Sequence, residues 1–227
     1  MKVLIWDFDG TLGYRTGAWS GAMLDVLDAR LPGHTLTRDD LRRYLLQGFP
    51  WHNADQPHTQ LTSADLWWAN LHPVFQAAYV QNGLPLEQAA DCASQVRRFY
   101  CHPDAWQLYP DTHAALRLLS QDGWIHVLLS NHVPELEDLL ELLGIRHFFA
   151  ALFNSAIMGY EKPHPAAFRH VLAHMPQYEH IWMIGDNPIA DIAGAAALGI
   201  PGILVRKNDP GVAYCCVDLM EVRSVLK

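Results

Sequence analysis

Five short apolar runs, rich in Val, Ile and Leu, recur along the chain at 3–6, 125–130, 149–153, 181–185 and 202–205. Runs this short, bounded by glycine or polar residues, predict strands with both faces buried. Between most of them the apolar positions recur at helical spacing, over 111–121, 134–143 (ending at Gly144), 165–174 and 188–198. The last segment has Pro188 in its first turn and Gly199 just past its end, the usual punctuation of a helix. Strands alternating with helices predict an α/β fold, a doubly wound parallel sheet. Ligands of such sheets bind beyond the carboxyl ends of the strands, at a topological switch point.

After the first strand the pattern changes. Helical segments at 19–30, 37–47, 62–81 and 86–101 follow one another with no strand between them. Thr37 and Thr62 are each followed three residues later by Asp, a pattern akin to the capping box that starts helices. Ala64, Trp67, Trp68, Leu71, Phe75 and Tyr79 fall on one helical face, and the expectation is a bundle core rather than a substrate pocket. Pro73 is expected to kink that helix. The domain organisation predicted is an α/β core from 1–14 and 105–227, interrupted by an α-helical insertion over 15–104.

Composition narrows the function classes. The chain has 227 residues, half of them hydrophobic, enough for one medium domain with an insertion. Lys and Arg number 16 against 24 acids, a net charge of −8, which argues against a nucleic-acid polymer as partner. A small anionic molecule remains compatible if a cation and a few placed donors offset the field. Cys92, Cys101, Cys215 and Cys216 show no Cys-x-x-Cys spacing, so neither a zinc knuckle nor a redox pair is indicated. No stretch reaches membrane-spanning length, and the start is too quickly acidic for a signal peptide. A cytoplasmic setting is the expectation; monomer and homodimer both remain open.

The chemistry concentrates at strand ends. Asp7 and Asp9 alternate where the first strand runs into Gly10, so both carboxylates share a face. Two like charges that close need a cation or a shared proton, unless the segment is only a turn. Ser130-Asn131 ends a later strand, where a hydroxyl and backbone amides before a helix suit phosphate oxygens, or simply a cap. Lys162, braced by Pro163 and Pro165, is aimed at a fixed anion if it is not merely solvated, and His164 serves as a helix cap. Gly185-Asp186-Asn187-Pro188 repeats the first loop's chemistry, with Asp186 the better metal candidate, Asn187 an N-cap, and Asp191 near the helix start. The all-oxygen donor set suits Mg²⁺ and not zinc.

In order and placement these motifs resemble the haloacid dehalogenase-like (HAD) hydrolase superfamily, a Rossmann-like fold, and specifically its phosphatase-type members with a helical cap after the first motif. Asp7-Phe8-Asp9-Gly10-Thr11-Leu12 matches the first motif, Ser130-Asn131 the second, Lys162-Pro163 the third, and Gly185-Asp186-Asn187-Pro188 with Asp191 the fourth. The resemblance implies that Asp7 attacks phosphorus to give an aspartyl-phosphate, and that Asp9 protonates the leaving oxygen and then activates water. It also implies Mg²⁺ on the Asp7 carboxylate, the Asp9 backbone carbonyl and Asp186. Ser130, the Asn131 amide and Lys162 would hold the transferring group. Gly10, Thr11, Asn187 and Asp191 would support the site.

Dehalogenases of this superfamily generally lack the second aspartate, since halide leaves without a proton; Asp9 therefore favours phosphoryl chemistry. Residues 16–106 contain no lysine, which argues against a phosphonatase's Schiff base. A phosphomutase would share all the motifs. A phospho-switch domain would carry its aspartate on a later strand. The partner expected is a small phosphorylated metabolite. Trp51, His52, His58, Trp67 and Trp68 are candidates to shape its pocket, with the core role favoured, and His132 is given at most an auxiliary role.

Overall fold

The computed structural model describes residues 1–175 and 177–226. The chain opens with β1 (Lys2–Trp6), and a short β2 (Gly13–Arg15) leads out of the main sheet. Four helices follow: α1 (Ala18–Arg30), α2 (Arg38–Arg42), α3 (Ala64–Gln81) and α4 (Leu86–Tyr100). A returning β3 (Trp106–Leu108) pairs antiparallel with β2, so the helical insertion leaves and re-enters through one two-stranded stem. Then come α5 (Thr112–Gln121), β4 (Trp124–Ser130), α6 (Leu136–Leu142), β5 (Phe149–Asn154), α7 (Ser155–Met158) and α8 (Pro165–His174). The chain closes with β6 (His180–Gly185), a π turn (Pro188–Ala193) running into α9 (Gly194–Ala196), β7 (Gly202–Val205), β8 (Cys215–Cys216) and α10 (Leu219–Val225).

The six-stranded sheet has the order β5-β4-β1-β6-β7-β8 and every pairing in it is parallel. Its strands alternate faces. Val3 and Ile5 pack with Val127, Leu129, Phe168 and Met183 on one side. Leu4 and Trp6 join a larger cluster on the other, which continues through Phe8 and Leu12 to Trp106, Tyr100 and Trp67 of the stem and insertion. β1 lies between β4 and β6, so the connections diverge on either side of it. A cleft opens beyond such a strand, and Asp7 is the residue that follows β1.

All five predicted strands form. Several details differ from the sequence reading. β2, β3 and β8 were invisible to periodicity because two or three residues carry no pattern, and β2 pairs with a segment ninety residues away. The short α7 and terminal α10 were likewise unpredicted. Thr37 and Asp40 do make a capping box, yet α2 ends at Arg42. Ser63, not Thr62, caps α3 by accepting from the Leu66 N–H. That helix runs through Pro73 without a break. The 188–198 segment is a wide π turn plus one helical turn. Among the described residues no helix is long and apolar enough to cross a membrane.

Candidate active site

The cleft at the carboxyl edge of the sheet has a volume of about 540 Å³, and Asp7, Asp9, Asn131, Lys162, Asp186 and Asp191 all line it. Lys162 is its hub. Its ammonium, 3% exposed as a residue, donates to Asp7 Oδ1 at 2.8 Å and to Asp191 Oδ1 at 2.5 Å. Burial alone would lower its pKa, but the two carboxylates outweigh that and hold it above the usual lysine range. Asn131 fixes the lysine's backbone: its Nδ2 donates to the Lys162 carbonyl at 2.8 Å, and its Oδ1 accepts from the Lys162 N–H at 2.7 Å. The Lys162–Pro163 peptide is cis.

Asp7 is held from two sides. Ser130 Oγ donates to the same Oδ1, at 2.8 Å, so one carboxylate oxygen is anchored by two donors. The Ser130 hydroxyl, expected at phosphate oxygens, is instead fully buried behind the cleft lining and donates to Asp7. Asp9 lies deeper in cost: burial, then the charges of Asp7 and Asp186, push its carboxyl up to about 7. Asp186 is also raised, by burial and by Asp7, against the pull of Lys207, whose ammonium donates to Asp186 Oδ2 at 2.7 Å.

Local backbone makes this crowding feasible. Gly10 has φ +81°, and a Cβ there would sit 2.7 Å from Asp186 Oδ2. A Cβ on Gly185 would lie within 2.1 Å of Asp191 Oδ2. Asn187 Oδ1 accepts from the N–H groups of Ile189 and Ala190, starting the π turn as an N-cap, while its own N–H donates to Asp191 Oδ2. Asp191 is completely buried and tied at both oxygens. Thr11 is buried beneath the first loop and outside the cleft, its Oγ1 unpartnered. His164 caps α8, accepting the Ala166 N–H through Nδ1.

The oxygens of Asp7, Asp186 and Asp191 come within 4.8 Å of one another, a carboxylate-only cluster that fits a hard divalent cation. Asp191 is spoken for by Lys162 and the Asn187 N–H. The acids left to hold a cation are therefore Asp7 and Asp186, with Asp9 beside them. His132 is not part of this chemistry. It is 2% exposed among Phe8, Trp106 and Tyr100, both ring nitrogens lack a partner, and burial lowers its pKa to about 4, so it is neutral.

Of the tryptophans, Trp67 and Trp68 are buried as a bundle core requires, whereas Trp51 lines the cleft. Sequence reasoning missed three residues at the site: Trp19, Tyr100 and Lys207. Lys207 stands just past the end of β7, at the sheet's functional edge, a position that would have flagged it. Trp19 and Tyr100 carried no signal apart from the helical pattern. His52 and His58 do not line the cleft; His58 Nδ1 instead meets Glu161 Oε2 at 2.7 Å, beside Lys162.

The family model for haloacid dehalogenase-like hydrolase matches residues 1–199. The chain is 33% identical over 147 residues to haloacid dehalogenase-like hydrolase domain-containing protein 3 of Bos taurus, covering 63% of this chain and 57% of that protein. It is 33% identical over 143 residues to a phosphoserine phosphatase of Thermus thermophilus, covering 60% and 56%. The match thus spans less than two thirds of either relative. Among solved structures, the Bacillus subtilis HAD-hydrolase YfnB, bound to magnesium, superposes with a TM-score of 0.79 at 22% identity, over 99% of this chain and 98% of that one, which shows a common fold.

Proposed function

Because the chain belongs to the haloacid dehalogenase-like hydrolase family, we propose that it is a magnesium-dependent phosphatase, hydrolysing a small-molecule phosphate monoester in the cytoplasm. The observation that carries this reading is the pairing of Asp7 and Asp9 in one cleft with Lys162. A nucleophile, an acid and a fixed cation are the minimum that phosphoryl transfer through a carboxylate requires.

In this reading the Asp7 oxygen not bound by Ser130 and Lys162 attacks phosphorus. A bond forms from Asp7 to phosphorus as the ester oxygen leaves, taking a proton from Asp9. Asp9, now ionised, removes a proton from water, and that water attacks phosphorus and releases Asp7 and inorganic phosphate. A carboxyl with a pKa pushed up to about 7 is suited to give and take a proton near neutral pH. Lys162 and the Asn131 loop hold the phosphoryl oxygens. Mg²⁺, when bound by Asp7, Asp186 and the Asp9 segment, supplies positive charge that offsets repulsion between a carboxylate and a phosphate dianion. The helical insertion covers the cleft, excludes bulk water and selects the substrate. Asp9 also sets the reaction apart from dehalogenation, since an alkoxide needs the proton that a halide does not.

Purified protein should release phosphate from p-nitrophenyl phosphate with Mg²⁺, and lose that activity in EDTA or as Asp7→Asn. Folded protein that released no phosphate from a broad panel of monoesters would overturn the proposal.

A further inference from the structure

The cleft has two unlike halves. Its floor is ionic and belongs to the sheet's edge. Its opposite wall is built by the helical insertion, from Trp19 of α1, Trp51 of the 3₁₀ turn Pro50–Asn53, and Tyr100 at the end of α4. These rings are fixed by one another. Trp19 stacks on Tyr100 with centroids 3.8 Å apart and planes 11° from parallel, and Trp51 stacks on Phe49 at 4.9 Å and 18°. Trp19 and Trp51 nevertheless keep part of their surface open to the cleft. Ile189, 68% exposed, stands on the sheet side of the same cavity.

Among the described residues, none of those by which the insertion lines the cleft is charged. The lysines beside the cleft, Lys162 and Lys207, lie on the floor, paired there with Asp7 and Asp191 and with Asp186. In the phosphatase reading the phosphate group and a metal ion would occupy that floor. A carboxylate on the leaving group, directed away from that floor, would face the uncharged rings of Trp19, Trp51 and Tyr100 with no cationic side chain on that wall to pair with, which costs desolvation. A flat neutral ring would meet the open parts of Trp19 and Trp51, rings already held in place by their aromatic neighbours, and such rings pack on planar ligands whatever their edge pattern. The cavity, about 540 Å³, falls within the range that holds a small ligand.

We propose that the substrate is a phosphate monoester whose leaving alcohol carries a flat, uncharged aromatic ring, aryl or nucleobase, packed against Trp51 and Trp19. This rests on the phosphatase reading above and names the class of ester that the site takes. It sets the chain apart from enzymes acting on carboxylate-bearing phosphates.

The decisive pair is uridine 5′-monophosphate against ribose 5-phosphate, which differ only at the anomeric carbon, a base against a hydroxyl; phenyl phosphate separates an aryl from a nucleobase preference, and phosphoserine supplies the carboxylate. For the wild type with Mg²⁺, at least one ring ester should have a KM tenfold or more below those of ribose 5-phosphate and phosphoserine; KM is read because a phenol leaves more readily than an alkyl alcohol and raises kcat by itself. Trp51→Ala should erase most of that ratio through KM, and Trp51→Phe, which keeps a ring, should retain it. Calorimetric binding of the same four compounds to Asp7→Asn should show the same order. Equal or reversed preference, with phosphate released from all, overturns this inference and leaves the phosphatase reading standing. Ring esters that bind Asp7→Asn tenfold more tightly while the wild type hydrolyses nothing would overturn the phosphatase reading and support the aromatic wall.

Discussion

Lys162 sits between two buried carboxylates, and neither the lysine nor Asp191 has water to turn to. Removing one member of such a group leaves the others charged and uncompensated, which is worse than never having built it. Lys162→Met should therefore lower stability by about 3–5 kcal/mol in urea unfolding, and Asp191→Asn in the same chain should return part of that loss, while activity stays absent. Asp9 shows the opposite imbalance. Its pKa is raised in the fold to about 7 from an ordinary carboxylate value, so ionising it favours the unfolded chain. Its contribution to metal-free stability is present at low pH and is lost as the pH rises from about 4 through about 7. Asp9→Asn removes that liability. In EDTA the variant should be more stable than the wild type by roughly 2–4 kcal/mol at pH 8.5, an advantage that shrinks towards pH 4.

Among the elements, the contact that ties the insertion to the lysine segment involves few residues. The His58 N–H donates to the Gly159 carbonyl at 2.7 Å, and Gly159, at φ +74°, lets the Thr59 backbone approach where a Cβ would stand 2.6 Å away. His58 Nδ1 then meets the buried Glu161 carboxylate, whose pKa is raised by burial despite that partner. His58→Ala leaves the carboxylate unpaired and should cost about 2 kcal/mol in thermal or urea unfolding, with Glu161→Gln added to it recovering most of the loss. None of this was readable in advance. His58 and Glu161 are a hundred residues apart, and each in isolation resembles a surface residue. The five longer strands and the helices α1, α3, α4, α5, α6 and α8 were readable because each repeats its own period over several turns or a full strand.

The whole molecule sets several acids against too few cations at one edge of a sheet. A cation that binds there should relieve the repulsion between Asp7, Asp9 and Asp186, and because it binds the folded chain alone it should stabilise it by mass action. Millimolar Mg²⁺ should raise the melting temperature by several degrees over an EDTA sample, and the rise should vanish in Asp186→Asn. A melting temperature indifferent to Mg²⁺ would count against the metal assignment.

What the sequence determined was local: five apolar strands, the helices between them, and polar residues stranded at strand ends where no core could take them. Asp7, Asp9 and Asp186 are legible because a charge just past a buried strand has no structural use that a neutral residue would not serve better, and Lys162 because two prolines brace it ahead of a helix. Tertiary structure alone decided which charges meet. It placed Ser130 and Lys162 on one oxygen of Asp7, and engaged Asp191 with the lysine rather than leaving it to a metal. It also turned Trp19, Trp51 and Tyr100, which hydrophobic patterning cannot tell from core, into a wall of the cleft that Asp7 lines. Period and propensity act between near neighbours in the chain, whereas charge pairing and cavity walls depend on distances in space that only the closed fold sets.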